Sequence, residues 1–153
     1  IEWIKELGFE LGSGNIVDYP GHTPEQIADD ILLMRELAID WAPVVPYMPA
    51  PGTPLAKEGG RGSLETNLRE ISILRIMMPD IDITAQQPGE NPEDGLTAID
   101  GNLNALNAGA NLLFADLLQE TLAKNFSVIG ERKVKGVEHI RKMAELAGMP
   151  CEV

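Results

Sequence analysis

The sequence has one cysteine, few basic residues and no long apolar run, and each shortage excludes a class of protein. Cys151 is the single cysteine in 153 residues, so the chain forms no internal disulfide and cannot alone supply the several thiolates that usually hold an iron–sulfur cluster. The chain has 12 Lys and Arg but 24 Asp and Glu. This shortage of basic residues argues against a nucleic-acid partner, because binding nucleic acid needs a basic surface. No apolar run reaches the roughly 18 residues of a membrane-spanning helix. These shortages predict a globular domain in a reducing, cytoplasmic compartment.

The start of the chain lacks an initiator methionine and a signal peptide. Residues 1–7 have the pattern of the end of an amphipathic helix, with Gly8 as its stop. We therefore expect the chain to be a piece of a longer protein.

Short apolar strands and amphipathic helices alternate along the sequence. The alternation recurs about every 30 residues, which predicts a parallel sheet with helices outside it. Four such units make half of an eight-stranded TIM-like barrel, and a small doubly wound sheet is the alternative. Residues 117–130 have no clear pattern. The predicted strands are 9–18, 40–47, 81–85 and 110–115, and the predicted helices are 24–38, 64–78, 95–107 and 133–147.

The first of these units has the most distinctive connection. Gly12 and Gly14 carry no side chain, so another backbone or a flat ligand can approach the strand that contains Ile16. After a Pro-Gly turn, Thr23 is a natural N-cap and Pro24 suits the first helical position. The loop therefore opens at the carboxyl end of a strand, where βα folds place their chemistry.

Four stretches of the sequence resemble the radical S-adenosylmethionine enzymes of the biotin synthase, HydE and methylornithine synthase group. They occur in the family's order and spacing, so the resemblance covers nearly the whole chain. It implies that residues 1–153 are the C-terminal half of a barrel whose N-terminal half, with the cluster-binding Cys-x3-Cys-x2-Cys motif, is missing. The stretches are Gly12–Gly14 with Pro20–Thr23, Pro46–Ala56, Leu74–Pro79 and Asn107–Asn111.

The resemblance also implies an activity. Family members use a [4Fe–4S] cluster to cleave S-adenosylmethionine, and the 5′-deoxyadenosyl radical so formed abstracts hydrogen from a small substrate. A HydE-like hydrogenase maturase is the most similar member, and a sulfur-inserting enzyme like lipoyl or biotin synthase is the alternative. No metal ligand is expected in this chain, which we expect to be inactive alone. A non-catalytic half-barrel that binds a nucleoside, or associates with another half through exposed sheet edges, is the third interpretation.

Six residues are expected at the cofactor by resemblance. Gly14 and Ile16 belong to a strand that resembles the family's Gly-x-Ile-x-Gly motif, in which Asp18 replaces the second glycine. Asp18 could instead cap the turn. Tyr47, Met48 and Pro49 lie at the end of the next strand, where members of the family make backbone hydrogen bonds to adenine. For Tyr47 the alternative is an ordinary buried strand tyrosine, which is equally common. The six are Gly14, Ile16, Asp18, Tyr47, Met48 and Pro49.

Three polar residues are candidates for contact with substrate. Gln86 and Gln87 end the third strand, where amides could orient a polar substrate, or they belong to a solvated loop. Asp116 follows the fourth strand and could bind an amine or cap the next helix. The same third strand carries no arginine, which disfavours biotin synthase itself.

The remaining polar residues have ordinary interpretations. His22 lies in a turn and is expected at the surface, and Cys151 is expected to take no part in function. Glu65, Arg69 and Glu70 are expected to form a solvated helix face.

Overall fold

The structure is a computed structural model that describes residues 1–123, 133 and 135–152. Short 3-10 turns at Leu55–Lys57 and Pro92–Thr97 precede α3 and α4. The strands are β1 (Ile16–Val17), β2 (Trp41–Ala42), β3 (Val45–Pro46) and β4 (Asp82–Ile83). The helices are α1 (Glu2–Glu6), α2 (Pro24–Glu36), α3 (Leu64–Met77), α4 (Ile99–Ala108), α5 (Glu120–Ala123) and α6 (Val137–Ala147).

All of the strand pairing in the described residues is parallel and follows the order of the chain. β1 pairs with β3, and β2 pairs with β4. Two isolated parallel bridges, Gly12 with Trp41 and Thr84 with Leu112, extend this pairing at both ends. The α/β class and the parallel pairing are therefore as predicted, but the described strands form two separate two-stranded sheets. The four-stranded half barrel stays a prediction.

The strands are much shorter than the sequence predicts. The second is divided between Ala42 and Val45, because Pro43 has no N–H to donate to a neighbour. The fourth is reduced to the bridge at Leu112, so the prediction of a strand over 110–115 is wrong. Asn111, the residue before Leu112, explains the loss of this strand. The Oδ1 of Asn111 accepts a 2.8 Å hydrogen bond from the backbone N–H of Ile83, which in a regular strand would donate to a backbone carbonyl.

The helices begin and end at residues that the local sequence identifies. Thr23 caps α2 in a reciprocal capping box with Gln26, and Ser63 Oγ accepts from the N–H of Thr66 at the start of α3. α4 ends at Gly109, which has a left-handed φ of 116°. α6 begins at Val137 rather than at residue 133. Of the stretch that the sequence left unassigned, 124–130 lies outside the described residues.

The helices pack on one side of the parallel strands. Ile83 and Leu74 are fully buried in this helix-side core. Its other members include Leu11, Ile31, Met34, Ala42, Val44, Ile71, Ala85, Ala105 and Met143. Successive side chains of a strand point to opposite faces. The strand residues next to these core residues in sequence therefore point to the side away from the helices. Among the described helices, none is long and apolar enough to cross a membrane.

Candidate functional site

The face of the strands that points away from the helices is open to solvent. We call it the open face and define it by Ile16, Trp41, Val45, Gln86 and Phe114. Ile16 is 52% exposed and Phe114 is 46% exposed, whereas Val17, beside Ile16, is fully buried. The Trp41 and Phe114 rings meet edge to face, with centroids 5.9 Å apart, and Gln86 Nε2 donates to the Phe114 carbonyl at 2.9 Å. The open face thus combines apolar rings with an amide.

Two glycines in the segment before β1 allow that segment to lie close to residues 41–43. A Cβ at Gly12 would overlap the indole of Trp41, and a Cβ at Gly14 would overlap the backbone carbonyl of Pro43. The sequence predicts that another backbone or a flat ligand approaches Gly12 and Gly14. In the structure, Trp41 and Pro43 of the same chain occupy that space. A contact between Gly14 and adenine stays a prediction.

Asp18 has the backbone conformation of a glycine. Its φ is +58°, in the left-handed region that asparagine and aspartate tolerate better than other side chains. Its Oδ2 accepts a 2.8 Å hydrogen bond from the N–H of Ser63, the N-cap of α3. Its own N–H donates to Nδ1 of His22 at 3.0 Å. The replacement of the family's glycine by Asp18 thus keeps the glycine-like turn and adds a link to α3.

The second predicted cofactor segment, residues 47–49, is only partly available. The Tyr47 N–H donates to the Val17 carbonyl at 2.8 Å, and the Tyr47 carbonyl accepts from Gly62 N–H at 2.8 Å. The Tyr47 side chain is buried, and its hydroxyl has no hydrogen-bond partner among the described residues. The backbone of Met48 makes no hydrogen bond with any described residue, and Pro49 has no N–H. Met48 is therefore the residue of this segment whose backbone is left to bind a ligand.

The two adjacent glutamines lie in different environments. Gln86 is half-buried on the open face. Gln87 points to the helix side and is 2% exposed, with Oε1 accepting from Asn67 Nδ2 at 2.9 Å. Its Nε2 donates to the carbonyls of Val44 and Thr84, at 2.6 and 3.1 Å. Gln87 is thus bonded within the protein on both sides of its amide, which argues against the substrate contact predicted for it.

Asp116 stabilises the chain after the Leu112 bridge. Its Oδ1 accepts a 3.0 Å hydrogen bond from the N–H of Leu118, and its own N–H donates to the Lys135 carbonyl at 2.9 Å. The bond to Leu118 is a local turn ahead of α5, which begins at Glu120, so Asp116 does not cap that helix. Its predicted contact with a substrate amine stays untested.

Two residues expected at the surface have buried side chains. Glu70 is 1% exposed, so its assignment to a solvated face is wrong, whereas Glu65 and Arg69 form an exposed ion pair as expected. The His22 side chain is 1% exposed, so its surface assignment is also wrong. Burial raises the pKa of Glu70 to about 7, the Asn15 amide opposes this rise, and the charge of Asp30 adds to it.

The sequence contained a signal for the burial of Glu70. The buried residues of α3 are Asn67, Glu70, Ile71 and Leu74, which follow the three- and four-residue spacing of a single helix face. The charge of Glu70 predicts an exposed side chain, whereas its place in this spacing predicts a buried one.

The described residues differ in their suitability for the two groups that the resemblance implies, an iron–sulfur cluster and S-adenosylmethionine. They contain no group of three or more His, Cys, Asp or Glu that could hold a metal ion, and Cys151 is exposed. The described residues therefore do not fit an iron–sulfur cluster. Ile16, with its exposed apolar side chain, and Met48, with a backbone that has no partner among the described residues, are the predicted cofactor residues still available to a ligand.

Comparison with known proteins confirms the resemblance. The [FeFe] hydrogenase maturase subunit HydE of Thermotoga maritima is 29% identical over 151 residues, which are 95% of this chain and 42% of HydE. Biotin synthase of Desulforudis audaxviator is 36% identical over 79 residues, which are 52% of this chain and 24% of that enzyme. The chain is homologous to radical S-adenosylmethionine enzymes.

The matches lie in the C-terminal region of these relatives. Biotin synthase of Trichlorobacter lovleyi is 33% identical over 84 residues, which are 55% of this chain and 25% of that enzyme. No protein-family model matches the chain. The chain therefore spans about two-fifths of the HydE relative and about a quarter of the biotin synthases.

Proposed function

We propose that this chain is the C-terminal half of a HydE-like radical S-adenosylmethionine enzyme, with its open face turned toward cofactor and substrate. The HydE match carries this proposal, because it extends over 95% of the chain. The parallel segments pair in chain order, as the strands of half a barrel would. The rest of the barrel would cover the open face and its sheet edges.

The nucleoside of the cofactor would lie against β1. Ile16 offers an exposed apolar side chain, and Met48 offers backbone groups without partners in the described structure. Asp18 holds the end of β1 against the start of α3, which fixes the turn beside Ile16. Of the six residues predicted at the cofactor, we assign direct contact to Ile16 and Met48 and a supporting role to Asp18.

The substrate would contact the other side of the open face. Gln86 keeps an amide there beside Phe114, and the Trp41 ring covers the strands behind them. Ile16 and Met48 would hold the nucleoside of S-adenosylmethionine, which would supply the hydrogen-abstracting radical after accepting one electron from a reduced cluster held outside the described residues. The chain's own residues bind the nucleoside, orient the substrate with Gln86 and exclude water with the two rings.

The test uses the full-length gene product, reconstituted anaerobically with iron and sulfide and given S-adenosylmethionine and dithionite. We expect 5′-deoxyadenosine to form. Ile16→Asp places a charge on the open face and should abolish its formation. Ile76→Asp is the matched control, because Ile76 is 81% exposed on α3, and it should leave the rate unchanged. Absence of 5′-deoxyadenosine with a spectroscopically verified cluster would reject the proposal.

A sulfur-inserting enzyme is the second candidate, because biotin synthases match about half of the chain. It differs in its product, which gains a carbon–sulfur bond. Mass spectrometry of products formed with ³⁴S-labelled clusters would detect that sulfur, and unlabelled products would favour the HydE-like activity.

A further inference from the structure

Residues 61–63 tie together the two strand ends that the proposed nucleoside site uses. The N–H of Gly62 donates to the Tyr47 carbonyl at 2.8 Å, and the N–H of Ser63 donates to Oδ2 of Asp18 at 2.8 Å. Gly62 is buried, and a Cβ there would lie 2.7 to 2.9 Å from backbone atoms at the ends of both β1 and β3. Residues 61–63 therefore keep a fixed position relative to both strand ends.

The side chain of Arg61 extends from this segment to the loop after β4. Its Nη1 donates a 2.7 Å hydrogen bond to the carbonyl of Gly89, which lies three residues after Gln86. The side chain is half-buried, and among the described residues it makes no other hydrogen bond and no ion pair. A hydrogen bond from a charged donor is roughly twice as strong as a neutral one. Arg61 therefore links the elements of the proposed nucleoside site to the loop that begins at the proposed substrate residue.

The same loop has a separate bond to α4. The backbone of residues 88–90 makes two hydrogen bonds with described residues, one from Arg61 and one from the Glu90 N–H to Oδ2 of Asp100, at 2.8 Å. Asp100 belongs to the first turn of α4. Of the two bonds, the one from Arg61 is thus the one that comes from the nucleoside side, and each bond can be removed without the other.

We propose that Arg61 is a positioning residue, which transmits nucleoside binding at Met48 to the loop of residues 86–90. Met48 follows Tyr47, whose carbonyl accepts from Gly62. A ligand bound to the Met48 backbone therefore restrains the segment that carries Arg61. Ordering one end of such a connection lowers the entropic cost of ordering its other end.

The consequence is that the substrate residue is held more firmly when the nucleoside is in place. Gln86 begins the loop that Arg61 restrains, and its amide is the group that we assign to the substrate. An amide ordered together with the nucleoside keeps the substrate in a set geometry relative to the cofactor, which is what a reaction between two bound molecules requires. This inference rests on the proposed function for the identity of the ligand and of the substrate residue.

The test is hydrogen exchange, followed by mass spectrometry, of the reconstituted full-length gene product with and without S-adenosylhomocysteine, which carries the cofactor's nucleoside. Coupling between two sites typically amounts to a factor of about 5 to 150, so the nucleoside should slow amide exchange in residues 86–91 of the wild type at least about fivefold. Arg61→Met removes the donor and keeps an unbranched side chain, and the slowing should disappear. Arg61→Lys keeps a charged donor and should retain part of the slowing.

Asp100→Ala is the matched control, because it removes the other backbone bond of the same loop. It should speed exchange of residues 86–91 in the free protein and keep the slowing that the nucleoside causes. If Arg61 had a merely structural role, Arg61→Met would behave in the same way as Asp100→Ala. Arg61→Gln, which is shorter and stays polar, replaces Arg61→Met if that variant does not fold.

Calorimetry with S-adenosylhomocysteine separates the two ways in which the test can fail. If the wild type binds the nucleoside and exchange in residues 86–91 does not change, the coupling is wrong. Slowing that persists in Arg61→Met would show that the nucleoside acts on the loop by another route, which also overturns the role of Arg61. Failure of the wild type to bind the nucleoside would instead reject the proposed function, and the coupling with it.

Discussion

Asn67 on α3 donates a 2.9 Å hydrogen bond to Oε1 of Gln87, and both side chains are almost fully buried. The same glutamine donates to the carbonyls of Val44 and Thr84. One side chain therefore joins a helix to two neighbouring parallel segments. Gln86, one residue earlier, points to the open face, so Gln87 is built into the packing of the fold and Gln86 stays available for the substrate contact that we propose.

This difference in packing predicts a larger loss of stability for a change at Gln87 than for one at Gln86. Gln87→Met has a similar size but leaves Asn67 and two carbonyls without partners, so we expect unfolding free energy to fall by about 2–4 kcal/mol. Gln86→Met removes one half-exposed hydrogen bond and should cost about 1 kcal/mol or less. Urea unfolding followed by circular dichroism measures both. In the enzyme assay, Gln86→Met should lower substrate turnover, and a stability loss larger for Gln86 than for Gln87 would contradict this prediction.

Gly12 is predicted to be intolerant of any side chain. A Cβ there would overlap the Trp41 indole, whereas a Cβ at Gly60 meets no atom within 4 Å. Gly12→Ala should therefore destabilise the fold by about 2 kcal/mol through overpacking, and Gly60→Ala should be nearly neutral. The double variant Gly12→Ala, Trp41→Ala should show a coupling that recovers part of the loss. Thermal unfolding gives the stability of each variant. If the stability loss of the double variant equals the sum of the two single losses, the Trp41 indole is not what excludes a side chain at Gly12.

Features set by neighbours in sequence were predictable, and features set by distant residues were not. The cap at Thr23 and the stop at Gly109 depend on backbone groups within one helical turn. The loss of the fourth strand depends on Asn111 bonding to Ile83, which is 28 residues away. The burial of Glu70 likewise depends on the helices and strand packed around it. Among the site candidates, the sequence located Ile16 and Gln86 at strand ends, but only the pairing of the strands shows that Gln87 faces the helices.

Asp18 provides a test of the glycine-like turn. Asn tolerates a positive φ and keeps an oxygen that can accept from Ser63, so Asp18→Asn should change stability by less than about 0.5 kcal/mol. Asp18→Ala loses the acceptor and retains the strained φ, and should cost about 2 kcal/mol. Asp18→Gly should lie between them, because it relieves the φ but loses the bond. Chemical unfolding of the three variants gives this order, and an alanine variant as stable as the asparagine variant would refute it.

Glu70 should make the stability of the fold depend on pH. Its pKa is raised from the ordinary 4.5 to about 7 in the folded state, mainly by burial. The folded state therefore holds this proton more tightly than the unfolded chain. Stability from this group is fully present below about pH 4.5 and is lost as the pH rises toward 7, and the loss above 7 amounts to about 3 kcal/mol.

Glu70→Gln removes that titration while keeping the shape of the side chain. The difference in unfolding free energy between variant and wild type should be small at pH 4.5 and should grow to about 3 kcal/mol in favour of the variant at pH 8. Glu65→Gln controls for the general effect of removing a charge from α3, because Glu65 is exposed. Urea unfolding at half-unit pH intervals measures the difference directly. A variant that is less stable than wild type at pH 8 would mean that Glu70 is ionised and favourably bound in the folded protein.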